Sequence, residues 1–189
     1  MDDAQKEFGE RYGNKEEEFS DLGEDPVPGL IIKLSDTDIK VRWKAAWRLG
    51  YLGDPRAVEP LIHSLDFSRP YVAGEDEFTL NMVAAWALGR IRDPRAVEPL
   101  IQALSNPCDD FVWIAAWALG EIGDTRAIAP LEATLQRGGF ECVWAGDSPP
   151  SDTFWDPVEH AVLDSITGST FHEGASPVVR ALEKLGSPF

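Results

Sequence analysis

Val41–Leu65 reads VRWKAAWRLGYLGDPRAVEPLIHSL, and two further stretches follow the same pattern. Leu80–Leu104 is LNMVAAWALGRIRDPRAVEPLIQAL, and Phe111–Leu135 is FVWIAAWALGEIGDTRAIAPLEATL. A pattern recurring every 30–40 residues marks a repeat architecture, in which each unit buries its apolar face only by stacking on the next. The equivalent tryptophans Trp47, Trp86 and Trp117 are 39 and then 31 residues apart, so the first interval carries about eight extra residues. Within a unit, the punctuation specifies two helices and a tight turn. Asp54, Asp93 and Asp124 stand where an N-cap accepts bonds from unsatisfied backbone N–H groups. Pro55 and Pro94 follow at the first helical position, where a missing N–H costs nothing. Gly53 and Gly123 suit the left-handed residue that ends the preceding helix, although Arg92 replaces glycine in the second unit. Pro60, Pro99 and Pro130 are expected to bend the first helix of each pair.

The pattern runs past these three copies. Pro26–Ser35 (PVPGLIIKLS) matches the AVEPLI helix, so the array starts before Val41. Val158–Thr167 (VEHAVLDSIT) matches the second helix in degraded form, and Pro177–Leu185 (PVVRALEKL) aligns with the first helix again. Degraded terminal units fit a stack that must be capped. The expected organisation is an acidic, disordered or frayed segment over residues 1–25 and a helical array over 26–186. Insertions at 66–77 and 138–156 interrupt the array.

Composition narrows the function. The chain of 189 residues carries 33 acidic and 17 basic side chains, a net charge of −16. Such a field repels a phosphate backbone and an anionic membrane surface, so neither nucleic acid nor membrane is an expected partner. Residues 1–25 hold ten acidic side chains against Lys6, Arg11 and Lys15, a net of −7. An acidic arm that engages a basic partner is the alternative to disorder there. No secretory signal and no apolar run of about 20 residues is visible. With only Cys108 and Cys142, the chain is expected in the reducing cytoplasm.

The motif AAxALGxIGDxRAVxPLIxAL, as it stands in the three units, resembles the HEAT-like repeats named after phycobilisome (PBS) lyases. The resemblance covers roughly residues 26–186. It implies an all-α, right-handed α-solenoid (superhelix) of about four HEAT-like helix pairs plus a closing helix. It also implies that the second helix of each pair lines the concave side. Its members include scaffolds that bind other proteins, and lyases that attach or isomerise open-chain bilins.

The candidate site follows from helical geometry. At about 100° per residue from Val41, the residues Val41, Ala45, Leu49 and Leu52 share a core stripe. Arg42, Ala46 and Gly50 lie beside it, where small residues admit a neighbouring helix pair. Trp43, Trp47 and Tyr51 fall on the side turned away from that stripe, and Met82, Trp86 and Arg90, then Trp113, Trp117 and Glu121, occupy the same three places. In the degraded unit, His160 and Asp164 do so. Large aromatics at helical spacing are ordinarily core, but here the core stripe is already filled. An exposed, Trp-rich face binding a protein or peptide through these nine residues is therefore expected.

The second insertion carries Phe140, Trp144, Phe154 and Trp155. It could close over the Trp face, extend it, or simply cover the edge of the fourth unit. Catalytic, cofactor-binding and metal-binding residues are all expected to be absent. There is no phosphate-cradling glycine loop, no GxSxG elbow and no Ser/His/Asp set. Cys108 and Cys142 fall at the same edge of adjacent units, which leaves a redox pair or half a metal site open. Another HEAT-repeat group, the deoxyhypusine hydroxylases, holds two irons through several His-Glu pairs, whereas only His172–Glu173 matches here. Three readings stand side by side: a protein-interaction module, a bilin lyase or phycobiliprotein chaperone, and an architectural element that self-associates.

Overall fold

The computed structural model describes residues 24–65, 76–106, 109–137 and 177–187, and all regular structure in them is helical. Eight α-helices follow in order: α1 (Val27–Lys33), α2 (Ile39–Leu52), α3 (Val58–His63), α4 (Asp76–Ile91), α5 (Val97–Ala103), α6 (Asp109–Ile122), α7 (Ile128–Arg137) and α8 (Pro177–Lys184). Short 3-10 turns at Pro55–Ala57, Pro94–Ala96 and Thr125–Ala127 lead into α3, α5 and α7. The insertion at 66–77 overlaps α4 at Asp76. Its remainder, the insertion at 138–156, residues 1–23 and Val158–Thr167 lie outside the described residues.

The turn chemistry is realised as the repeat requires. Asp54, Asp93 and Asp124 are extended N-caps whose carboxylates accept from the backbone N–H of Arg56, Arg95 and Arg126. Gly53 and Gly123 end α2 and α6 at φ 66° and 78°, and Arg92 ends α4 at φ 60° despite its side chain. The prolines differ from expectation. Because the chain after each N-cap is 3-10, the α-helix proper starts at Val58 or Val97. Pro60, Pro99 and, in α7, Pro130 therefore sit in a first turn, where no N–H is needed, rather than in a helix interior.

The helices form two layers. α2, α4, α6 and α8 stack side by side in one, and α1, α3, α5 and α7 each cover their partner from the other. The described residues thus make four helix pairs of an α-solenoid. The core runs continuously between the layers through Leu30, Leu49, Leu61, Leu88, Leu100, Leu119, Leu131 and Leu182, all fully buried. Leu52, expected in the core stripe, is 46% exposed, while its equivalents Ile91 and Ile122 pack against the core.

α8 corrects the register read from sequence. It packs on α6 and α7, in the place of a second helix, rather than closing the array as another first helix. The aligned strings are VVRALEKLG (178–186) and AAWALGRIR (84–92), and Gly186, at φ 74°, falls on the position of Arg92. The three inner junctions share one contact. A Cβ on Gly50 would come within 2.9 Å of the Ala87 backbone, one on Gly89 within 2.8 Å of Ala118, and one on Gly120 within 2.9 Å of Ala181. Glycine facing alanine is what lets the inner helices lie so close. The two terminal places break the rule: Arg48 stands where Ala87, Ala118 and Ala181 do, and Glu183 stands where the glycines do.

Candidate functional site

The nine residues of the expected face all lie on α2, α4 and α6, but they do not share one environment. Trp43, Met82, Trp86 and Trp113 are buried, with Trp86 only 1% exposed. Trp47, Tyr51, Trp117 and Glu121 are half-buried, and Arg90 is exposed. The expectation of an exposed tryptophan stripe is thus corrected for its four most buried members. Unrolling one helix counts a single packed side, whereas an inner helix of a stack packs against the outer layer and against both neighbouring units. The large rings reach into those junctions. The six-membered ring of Trp86 lies over Gly50, with Cζ3 2.7 Å from where a Cβ would stand, and Trp117 lies over Gly89 in the same way.

What remains open is a small aromatic and cationic cluster where α2 meets α4. The Tyr51 ring contacts Trp47 edge-on at 4.5 Å between centroids and Trp86 at 5.2 Å. The Arg90 guanidinium stands 5.5 Å from the Tyr51 centroid and 5.9 Å from that of Trp86. Both distances fall within the range of attraction between a cation and an aromatic face. Tyr51 is thereby held between two indoles and under a cation, with little rotamer freedom left to lose when something binds over it.

Glu121 is committed to the fold. Its carboxylate pairs with Lys184 of α8 and, at 2.5 Å, with Arg92 at the end of α4. Burial pushes its pKa up, but the two cations outweigh that and keep the carboxyl below the ordinary glutamate value. This contact links three successive units, and it gives Arg92 a partner in a backbone conformation that otherwise favours glycine.

A second inter-unit device was missed in the sequence reading. Arg95 donates to its own cap Asp93 and to the carbonyl of Pro55 in the preceding unit at 3.0 Å, and forms an ion pair with Glu59 at 3.6 Å. Arg126 repeats the arrangement with Asp124, Pro94 and Glu98, and Arg56 with Asp54 and Asp25. The arginine hydrogen bonds hold Asp54, Asp93 and Asp124 below the ordinary aspartate pKa. The signal was the arginine two residues after each cap aspartate, present in all three turns.

Of the residues weighed for chemistry, only His63 is described, and its Nδ1 lies 2.7 Å from the Glu59 carbonyl oxygen. His160, Asp164, His172, Cys108 and Cys142 lie outside the described residues, as do Phe140, Trp144, Phe154 and Trp155. Among the described residues, no three His, Cys, Asp or Glu side chains gather as a metal would require, and no helix is long and apolar enough to cross a membrane.

A family model for HEAT repeats matches residues 73–141, and one for the PBS lyase HEAT-like repeat matches residues 41–67. No curated protein matches the chain. A solved chain in the complex of CpcE and CpcF of phycocyanin lyase from Nostoc sp. PCC7120 is similar, with 28% identity and a TM-score of 0.57. The match takes in 84% of this chain but 64% of that one.

Proposed function

We propose that the chain, whose residues 73–141 match a HEAT-repeat model and whose residues 41–67 match the PBS lyase HEAT-like repeat, is a protein-interaction module. The observation that carries this reading is the cluster of Trp47, Tyr51, Trp86 and Arg90 between α2 and α4. Trp, Tyr and Arg are the side chains that dominate binding energy at interfaces, above all where neighbours hold them rigid. Trp47, Tyr51, Arg90 and Trp117 form the contact surface. The buried Trp86 is the floor that positions Tyr51 and Arg90. Similarity to a chain that works within a complex of two proteins supports a protein partner.

The test is capture of partners from cells of the source organism by the native chain and by a Tyr51→Ala/Arg90→Ala variant with unchanged helicity. A protein retained by the native chain and lost by the variant is expected, with a loss on the order of 2 kcal/mol per hot-spot residue. Equal capture by both removes the cluster from the interface.

The similarity to a phycocyanin lyase complex favours one second reading, a bilin lyase or phycobiliprotein chaperone subunit. It expects a red-shifted visible band and quenched tryptophan fluorescence when the chain is mixed with a purified bilin. Unchanged spectra at micromolar pigment rule it out.

A further inference from the structure

With 33 acidic side chains against 17 basic ones, an arginine in this chain readily finds a partner. Arg56, Arg92, Arg95 and Arg126 pair with carboxylates, and Arg137 donates to the carbonyl of Leu104. Arg90 and Arg180 differ, because among the described residues neither makes a hydrogen bond or an ion pair. Both stand on one side of the stack. Arg90 follows Trp86 by four residues on α4. Arg180, in the register set by Ala181 against Gly120, holds on α8 the place that Trp117 holds on α6. Trp117 thus falls between the two arginines in register, half-buried, with its ring over Gly89.

Charge on this side is inverted relative to a chain of net charge −16. Arg90, Arg92, Arg180 and Lys184 stand against one carboxylate, Glu121, which Arg92 and Lys184 already share. The guanidinium of Arg90 lies over the Tyr51 and Trp86 rings, and its N–H donors, whose fork matches a carboxylate, make no bond in the fold. An arginine fixed in this way gives up little freedom on binding. Helices packed in this manner are about 8–10 Å apart, so α4 to α8 spans roughly 16–20 Å, which an extended segment covers in about five or six residues. We infer, resting on the interaction-module function proposed above, that the partner lays a short acidic segment on this face. Its carboxylates meet Arg90 and Arg180, and an apolar side chain between them covers Trp117. The net charge of the chain repels such a segment at a distance, but physiological salt screens that repulsion beyond about 8 Å, so the local cations decide at contact.

Fluorescence anisotropy with two labelled peptides of equal length tests this on the full chain at physiological salt. One peptide carries two Glu pairs about five residues apart, with Leu and Phe between them, and the other has Gln for every Glu. The native chain should bind the Glu peptide about tenfold more tightly than the Gln peptide, the gain of one charge-assisted hydrogen bond. An Arg90→Gln/Arg180→Gln variant, shown to be folded by circular dichroism, should bind both peptides alike. Arg180→Gln alone, which touches no aromatic ring of the α2/α4 cluster, should lose part of the preference. Equal affinity of the native chain for the two peptides, binding of neither, or a Glu preference that survives in the double variant overturns the inference. So does a dimer in light scattering that the double variant dissolves, because acidic segments of a second copy then fill this face. The interaction-module function fails separately, when Tyr51→Ala/Arg90→Ala captures the same cellular proteins as the native chain.

Discussion

Two features cross every boundary between units, and they differ in the medium that surrounds them. The inner junctions are dry: glycine faces alanine, and Trp86 and Trp117 fold over the backbone of the neighbouring helix. The turn edge is wet: Arg56, Arg95 and Arg126 bridge the same boundaries with about half of each side chain exposed. Burial of apolar surface scales with area and is insensitive to salt, whereas exposed ion pairs contribute little and are screened. The junctions therefore supply the cohesion of the stack, and the ladder fixes the angle at which each turn follows the last.

The largest effect that could break this division is at Trp86. Replacing it with alanine should cost about 3–5 kcal/mol in chemical denaturation, because a fully buried ring is lost from a junction. A loss below about 1 kcal/mol would mean that the ring is not part of the seam. Next comes Gly89→Ala. The added methyl would meet Trp117 at 2.7 Å and the Ala118 backbone at 2.8 Å, so α4 and α6 must separate at a cost of roughly 1–3 kcal/mol. Arg92→Gly should act in the opposite sense. It removes a left-handed arginine that costs about 1–2 kcal/mol and gives up an ion pair in which only the arginine is exposed, while the half-buried Glu121 keeps Lys184, so the melting temperature should rise.

The smallest effect is at the ladder, and its sign with pH is fixed. The Asp93 carboxyl is held below its unfolded value, so its contribution is present above about pH 4 and is lost as pH falls through the lower, folded value. The stability gap between the native chain and Asp93→Asn should be small at pH 7 and should close on acidification. A gap that widens toward low pH would mean that the Arg95 hydrogen bond does not favour the ionised carboxylate in the fold.

Much of this was legible in the sequence. The N-cap aspartates, the left-handed glycines and the two-helix unit each follow from a residue type with one physical use, repeated three times. The register of α8 was legible too, since LGSP at 185–188 has the form of LGDP at 52–55. PVVRALEKL resembles the first helix only because both strings share a proline and a leucine spacing. Burial of Trp86 and Trp113 was not legible. A helical wheel gives directions about one axis, and direction alone does not say whether a neighbouring helix stands there or how far a ring reaches across the gap. The Arg ladder was equally hidden, because exposed charges at a turn look like ordinary solvation until the preceding carbonyl is seen beside them.

The central claim is that the aromatic residues divide into a packed seam and an open rim, with binding confined to the rim. Its most direct measurement compares thermal melting and partner capture for Tyr51→Ala/Arg90→Ala and for Trp86→Ala. The rim variant should melt within a few degrees of the native chain and lose the partner, while the seam variant should lose stability first. A rim variant that is destabilised as severely as Trp86→Ala, or that keeps the partner, would contradict the account.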